Sequence, residues 1–217
     1  MRHAPPEDTT YLYLIRHGAT NANEQRPYIL QGDGIDLPLS PTGERQAAAL
    51  GQFFREFPLN HVYCSTLRRA AQTAEAIAAP HGIAVESISG LSECNVGQWE
   101  GMDWETIRTR FPEECARFHE DPSVHPYLGG ESYADVLRRA QGVLGELLER
   151  HRGQSVVVVS HSVVNRAYLS SLLGIELRRA KELRQQNACV NFIHHNGEGT
   201  KLLTLNSVFH LDEMPLW

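Results

Sequence analysis

Three short stretches concentrate the residues able to do chemistry. Arg16-His17-Gly18 closes an apolar run in LYLIRHGATNAN, Arg68-Arg69 follows HVYCSTL, and Ser160-His161-Ser162 closes SVVVV. A guanidinium pairs bidentately with phosphate or carboxylate. An imidazole can attack phosphorus or move a proton near neutral pH. Two histidines and an arginine brought to one place suit a compact, highly charged anion, and a phosphoryl group fits best. The reaction would need one imidazole with its reactive nitrogen unprotonated and its other N–H held by a carbonyl or carboxylate. Two arginines and the second histidine would hold the equatorial oxygens as charge redistributes. A carboxylic acid would protonate the leaving oxygen. Glu93 and Glu100 both stand in a loop region that could supply it.

A metal centre is the other use of paired histidines, and it wants a third ligand at a clear spacing. His194-His195 cannot serve as a local pair, because strand neighbours point to opposite faces. Cys64, Cys94, Cys115 and Cys189 contain no C-x-x-C spacing, so neither a zinc site nor a redox motif is indicated. The expectation is a site without metal or other cofactor.

The elements that must position these groups can be read from the sequence. YLYLI and HVYCS read as short buried strands, IAVESI as a third, and SVVVVS as a strand buried on both faces, as in a parallel sheet. Ser40 and Pro41 open a helix whose Ala47, Leu50, Phe53, Phe54 and Phe57 share one face. A second helix follows Leu67, a long one follows Ser132, and another follows His161. ACVNFIHHNGEGTKLLTLN reads as a hairpin. Alternating strands and helices predict a three-layer α/β/α sandwich. Its sheet should be mostly parallel but mixed, since two hairpin strands cannot both run with the rest. Ligands bind beyond the carboxyl ends of such strands, and Arg16-His17, Arg68-Arg69 and His161 all fall there. Helix neighbours lie about 100° apart, so only one of Arg68 and Arg69 should face the site.

The same dipeptide at Arg2-His3 lies in a polar tail, and at Arg150-His151 it ends a helix, where cations suit the dipole. Residues 1–10 read as a flexible tail and 11–217 as a single domain. An irregular, aromatic insert over about 91–130 contains Trp99, Trp104, Phe111, Phe118 and Tyr127. These rings could form a lid, but packing of the insert against the sheet is the simpler role. Net charge is -6 over 217 residues, which argues against a broad nucleic-acid footprint. No apolar run reaches the roughly 18 residues of a membrane span. The first ten residues lack a secretory apolar segment, and scattered unpaired cysteines suit a reducing compartment, so a cytoplasmic protein is expected. A homo-oligomer is permitted but not readable.

Seven stretches, RHGATNAN, LQGDGIDLPLSPTGERQA, VYCSTLRRAAQTAEAI, LSECNVGQWEGMDWE, GGES, VVVVSHSVVNRA and NACVNF, together resemble the histidine phosphatase superfamily. The likeness is to its phosphoglycerate mutase-like branch and runs from Tyr11 to about Leu211. The resemblance implies that His17 is phosphorylated and that Arg16, Arg68 and His161 complete the phosphate pocket. It implies that Glu93 is the general acid and base; the site needs only one such carboxyl, and Glu100 more simply braces the loop. Asn23 would contact the phosphoryl group, and Gln31 and Gly32 would border the pocket. A cap over the site is implied as well, in the place of the 91–130 insert. Ala19, Ser162 and Asn165 depart from the usual pattern, where an acid and small or apolar residues are common. The activity implied is metal-independent hydrolysis of a small phosphorylated metabolite through phosphohistidine. The alternatives are a phosphoglycerate mutase and a non-catalytic module binding a phosphoanion or phosphoprotein. Mutases of this branch carry a longer stretch between WEG and ES. Here Gly101 and Glu131 are 30 positions apart, which favours the phosphatase type.

Overall fold

A computed structural model of the chain describes residues 3–211. Its elements in order are β1 (Thr10–Arg16), α1 (Asn21–Glu24), α2 (Pro41–Phe54), β2 (His61–Cys64), α3 (Arg68–Ala78), β3 (Val85–Ser87), α4 (Trp104–Arg110), α5 (Pro112–Glu120), α6 (Tyr133–Arg150), β4 (Ser155–Ser160), α7 (Ser162–Leu173), β5 (Val190–Asn196) and β6 (Gly199–Ser207). The strands form one sheet in the order β3-β2-β4-β1-β5-β6. β3, β2, β4 and β1 run parallel. β5 opposes β1, and β6 opposes β5. One reversed strand is therefore what makes the sheet mixed, as the hairpin required.

Alternation along the strands divides the core in two. Leu12, Leu14, Val156 and Val158 pack with Val136, Ala140 and Leu144 of α6 and Val164 and Ala167 of α7. Tyr13, Ile15, Val157 and Val159 pack with Leu50 and Phe54 of α2 and Ala70, Ala74 and Ile77 of α3. That is the three-layer sandwich, with β4 wholly buried at its centre. The helix starts are chemically specified. Ser40 accepts a hydrogen bond from the Gly43 N–H, with Pro41 in the first turn. Ser132 and Asp135 form a capping box at α6.

The insert over 91–130 contains α4, α5 and flanking turns. Trp99 is fully buried there and meets Phe118 and Tyr127 edge to face at 5.5 and 5.8 Å, so most of its aromatic weight is packing. The polar tail is shorter than 1–10. β1 begins at Thr10, whose hydroxyl donates to the Leu148 carbonyl at 2.6 Å, and Thr9 is buried beside it. The last residues assigned to the domain, 212–217, lie outside the described residues.

Register fixes where the chemistry converges. Arg16 pairs with Ser160, and Cys64 pairs with Val159. His17 and His161 therefore leave their strands at the same level of one sheet edge, and Ser65 leaves the adjacent strand one residue earlier in register.

Candidate active site

His17 is 3 % exposed. Its main chain is tied down by an N–H donated to the Ser160 carbonyl and by a carbonyl that accepts from the Ala188 N–H and Asn187 Nδ2. In the ring, Nδ1 lies 2.6 Å from the Gly18 carbonyl oxygen. A carbonyl only accepts, so Nδ1 carries the proton. In the neutral ring Nε2 then holds a free lone pair, and no described residue hydrogen-bonds to it. Burial lowers the pKa of His17 well below 6.5, and the Arg69 and Arg16 charges lower it further.

His161 sits beside it, with ring centroids 5.0 Å apart. Its Nε2 lies 2.6 Å from Ser65 Oγ, and its buried Nδ1 has no partner. Burial, then Arg69, His17 and Arg16, keep this histidine neutral too.

Two guanidiniums complete the cluster. Arg16 donates from Nη1 to the Gln185 carbonyl at 2.7 Å. Arg69 is 1 % exposed and donates to the carbonyls of Gly32 and Ile35 at 2.8 and 3.0 Å. Both Nε atoms are buried without a partner. Burial lowers both pKa values, yet an arginine remains charged. Among the described residues, no carboxylate pairs with either one. Two desolvated cations without an ion-pair partner, eased only by the more distant charge of Glu93, favour an anion between them.

Glu93 faces the cluster from the loop after β3. Its Oε1 accepts from the Cys94 N–H at 2.9 Å, and both oxygens lie 3.3 Å from the Val163 N–H in the first turn of α7. Arg139 steadies the loop by donating to the carbonyls of Gly90, Ser92 and Glu93 and to Glu131. Two cavities open above. One, of about 470 Å³, is lined by Arg16, Asn23, Gln185 and Asn187. The other, of about 280 Å³, is lined by Glu93, Gln31 and the aromatic rings of Trp104, Phe118, Tyr127 and Tyr133. Tyr28, Ser162 and Arg166 line both.

The family model of the histidine phosphatase superfamily (branch 1) matches residues 12–208. The chain is 36 % identical to phosphoserine phosphatase 1 of Hydrogenobacter thermophilus over 202 residues, 93 % of this chain and 94 % of that protein. Among solved structures it resembles Bacillus stearothermophilus YhfR, with TM-score 0.86 and 29 % identity over 94 % of this chain and 100 % of that one. It also resembles a phosphoserine phosphatase of Entamoeba histolytica in complex with 3-phosphoglyceric acid. There the TM-score is 0.83 and the identity 27 %, over 93 % of this chain and 99 % of that one. The chain belongs to the histidine phosphatase superfamily.

As a histidine phosphatase it is a phosphoric monoester hydrolase. The structure brings His17, His161, Arg16 and Glu93 together and corrects the fourth basic member. Arg68, expected in the pocket, is exposed, and its backbone N–H donates to Asp36 Oδ1 at 2.7 Å. Arg69, expected in solvent or in an ion pair, is the buried guanidinium. Helix geometry does turn only one of the two inward, and that one is Arg69. Ala70, Thr73, Ala74 and Ile77 are the buried face of α3, and Arg69 continues that face at three- and four-residue spacing.

The other histidine phosphatase positions divide by contact. Asn23 lines the Arg16 cavity, with its Oδ1 accepting from the Thr20 N–H and Asn187 Nδ2. Its Nδ2 makes no hydrogen bond to a described residue. Gln31 lines the aromatic cavity. Gly32 lines neither. Its N–H donates to Glu100 Oε1, its carbonyl holds Arg69, and a Cβ there would stand 2.6 Å from the Cys94 carbonyl. Glu100 braces the Gly32–Ile35 loop by accepting from both backbone N–H groups. Ser65, Gln185 and Asn187 also contact the cluster, and the sequence reading missed them. Each acts through a partner remote in sequence, so no local spacing announces them.

Proposed function

We propose that the protein hydrolyses a small phosphorylated metabolite through a phosphohistidine at His17, with no metal in the mechanism. One observation carries this: a neutral histidine with its Nε2 lone pair free, between two buried guanidiniums that form no ion pair with a described carboxylate. The phosphoryl group supplies the missing charge. Arg16, Arg69 and His161 hold its non-bridging oxygens, and Asn23 adds a donor. His17 Nε2 attacks phosphorus, forming the N–P bond as the P–O bond to the leaving group breaks. The carboxyl of Glu93 gives its proton to the leaving oxygen. A water then attacks phosphorus, Glu93 takes its proton, and the N–P bond breaks to release inorganic phosphate. The Gly18 carbonyl holds the Nδ1 proton throughout, which stabilises the ring as its charge rises.

The substrate class is supported by cavity size and by relatives whose names specify phosphoserine, a small metabolite. The test is hydrolysis of p-nitrophenyl phosphate in excess EDTA. Turnover that disappears in His17→Ala supports the reading. Turnover that requires added divalent metal, or that survives His17→Ala, sinks it.

A further inference from the structure

Glu131 is the acid of the GGES stretch, and the reaction just described leaves it without a role. Its carboxylate meets Arg139 of α6 side-on, with Oε1 accepting from Nε at 2.9 Å and Oε2 from Nη2 at 3.0 Å. The other N–H groups of the guanidinium go to the carbonyls of Gly90 at 2.9 Å, Ser92 at 2.6 Å and Glu93 at 3.1 Å. Every donor of the side chain is thereby used. The remaining carbonyl of that run, at Leu91, accepts from Ser160 Oγ at 2.9 Å. The backbone that carries Glu93 is thus held by side chains, and mostly by one arginine. The same carboxylate also closes the base of the cap. Glu131 Oε2 accepts from the Asn95 N–H at 2.9 Å, and the Glu131 N–H donates to the Asn95 carbonyl at 2.9 Å. The two ends of the insert cross there so closely that a Cβ on Gly130 would stand 2.2 Å from the Asn95 carbonyl oxygen. His17 hangs on other supports, with hydrogen bonds to Ser160, Ala188, Asn187 and Gly18.

We propose that Arg139, oriented by Glu131, is the positioning residue for proton transfer at Glu93. The inference rests on the phosphatase reading, with Glu93 as its acid and base. A general acid must stand within hydrogen-bond reach of the leaving oxygen. The contacts of the Glu93 carboxyl itself are one bond at 2.9 Å to the adjacent Cys94 N–H and two longer ones at 3.3 Å to the Val163 N–H. Its placement therefore follows its backbone, and Arg139 sets that backbone. The planar fork of a guanidinium is what lets one side chain hold three carbonyls and a carboxylate in fixed directions. Because Glu131 also joins the two ends of the cap, one ion pair aligns the acid with the cap that covers it. Attack by His17 does not pass through this clamp, so its loss should fall on the proton and not on the nucleophile.

The experiment compares kcat/KM for phenyl phosphate and p-nitrophenyl phosphate in EDTA. The two esters are similar in shape, but phenoxide is the poorer leaving group and depends more on the donated proton. Glu93→Gln should lower the phenyl to p-nitrophenyl ratio, and Arg139→Gln should lower it in the same direction, roughly 5- to 50-fold. In the Glu93→Gln background the effect of Arg139→Gln on that ratio should vanish, because no acid is left to position. An equal loss on both esters, or a ratio change that persists in the Glu93→Gln background, would make the clamp merely structural and overturn the proposal. If Arg139→Gln does not fold, Glu131→Gln, which keeps the size of the side chain, is read on the same ratio and in the same double variant. A Glu93→Gln enzyme with an unchanged ratio would remove the acid assignment and this inference with it. A wild type inactive on both esters defeats the phosphatase reading itself.

Discussion

Arg69 and Arg68 differ by one position and by nearly everything else. One is buried against two carbonyls beside the histidines, and the other faces solvent. Arg69→Ala should therefore lower kcat/KM by roughly 10²–10³, while Arg68→Ala should change it less than about threefold. Steady-state kinetics on an aryl phosphate separates them, and a larger loss at Arg68 would reverse the assignment. His17 gives a second expectation. Its folded pKa lies well below 6.5, because burial and two arginines oppose protonation. The nucleophile stays neutral as pH falls through 6.5, so the acid limb of kcat/KM should lie below that value. A limb at or above 6.5 that tracks His17 in an NMR titration would contradict it. His17, His161 and Arg16 were legible in the sequence because each ends an apolar run. Arg69 was legible in principle, through the Ala70-Ala74-Ile77 stripe. Ser65 was not, because its bond to His161 crosses 96 positions.

At the scale of elements, the site is built by the ends of three neighbouring strands, the loops after β1 and β3, and the first turns of α3 and α7. The loop after β1 and the first turn of α2 approach so closely that a Cβ on Gly43 would stand 2.0 Å from the Ala19 carbonyl, and one on Gly18 would stand 2.6 Å from the Gly43 carbonyl. Gly43→Ala should cost about 1–3 kcal/mol in urea unfolding and should lower kcat by displacing His17. Gly142, exposed on α6, meets nothing within 4 Å. There the same substitution should stabilise by about 0.5–1 kcal/mol with activity kept, since alanine costs a helix less entropy. If both variants behaved alike, the close approach would not be what distinguishes them. Strand and helix identities, the Ser40 and Ser132 caps and the reversed hairpin strand followed from periodicity and turn chemistry. The interior of the cap did not, because α4, α5 and Trp99 are ordered by aromatic contacts between residues distant in sequence.

For the whole molecule, the active site links stability to pH. His17 and His161 have folded pKa values well below 6.5, so below that pH the unfolded chain binds more protons than the folded one. Their contribution to stability is complete above 6.5 and is lost as pH falls toward the folded values. Urea midpoints should decline between neutral and mildly acid pH, and the decline should be shallower in a His17→Asn, His161→Asn double variant. A double variant with an unchanged or steeper decline would place the titrating groups elsewhere. Anion binding opposes this loss, because phosphate held by the unpaired Arg16 and Arg69 stabilises only the folded state.

The central claim concerns one covalent bond, between His17 Nε2 and phosphorus. A rapid alkaline quench during turnover of a 32P-labelled phosphomonoester, in EDTA, measures it directly. The account expects acid-labile, alkali-stable label on the peptide carrying His17. That label should form and decay at rates that support kcat, and it should be absent in His17→Ala. Turnover with no label on that peptide, or label on another residue, would contradict it.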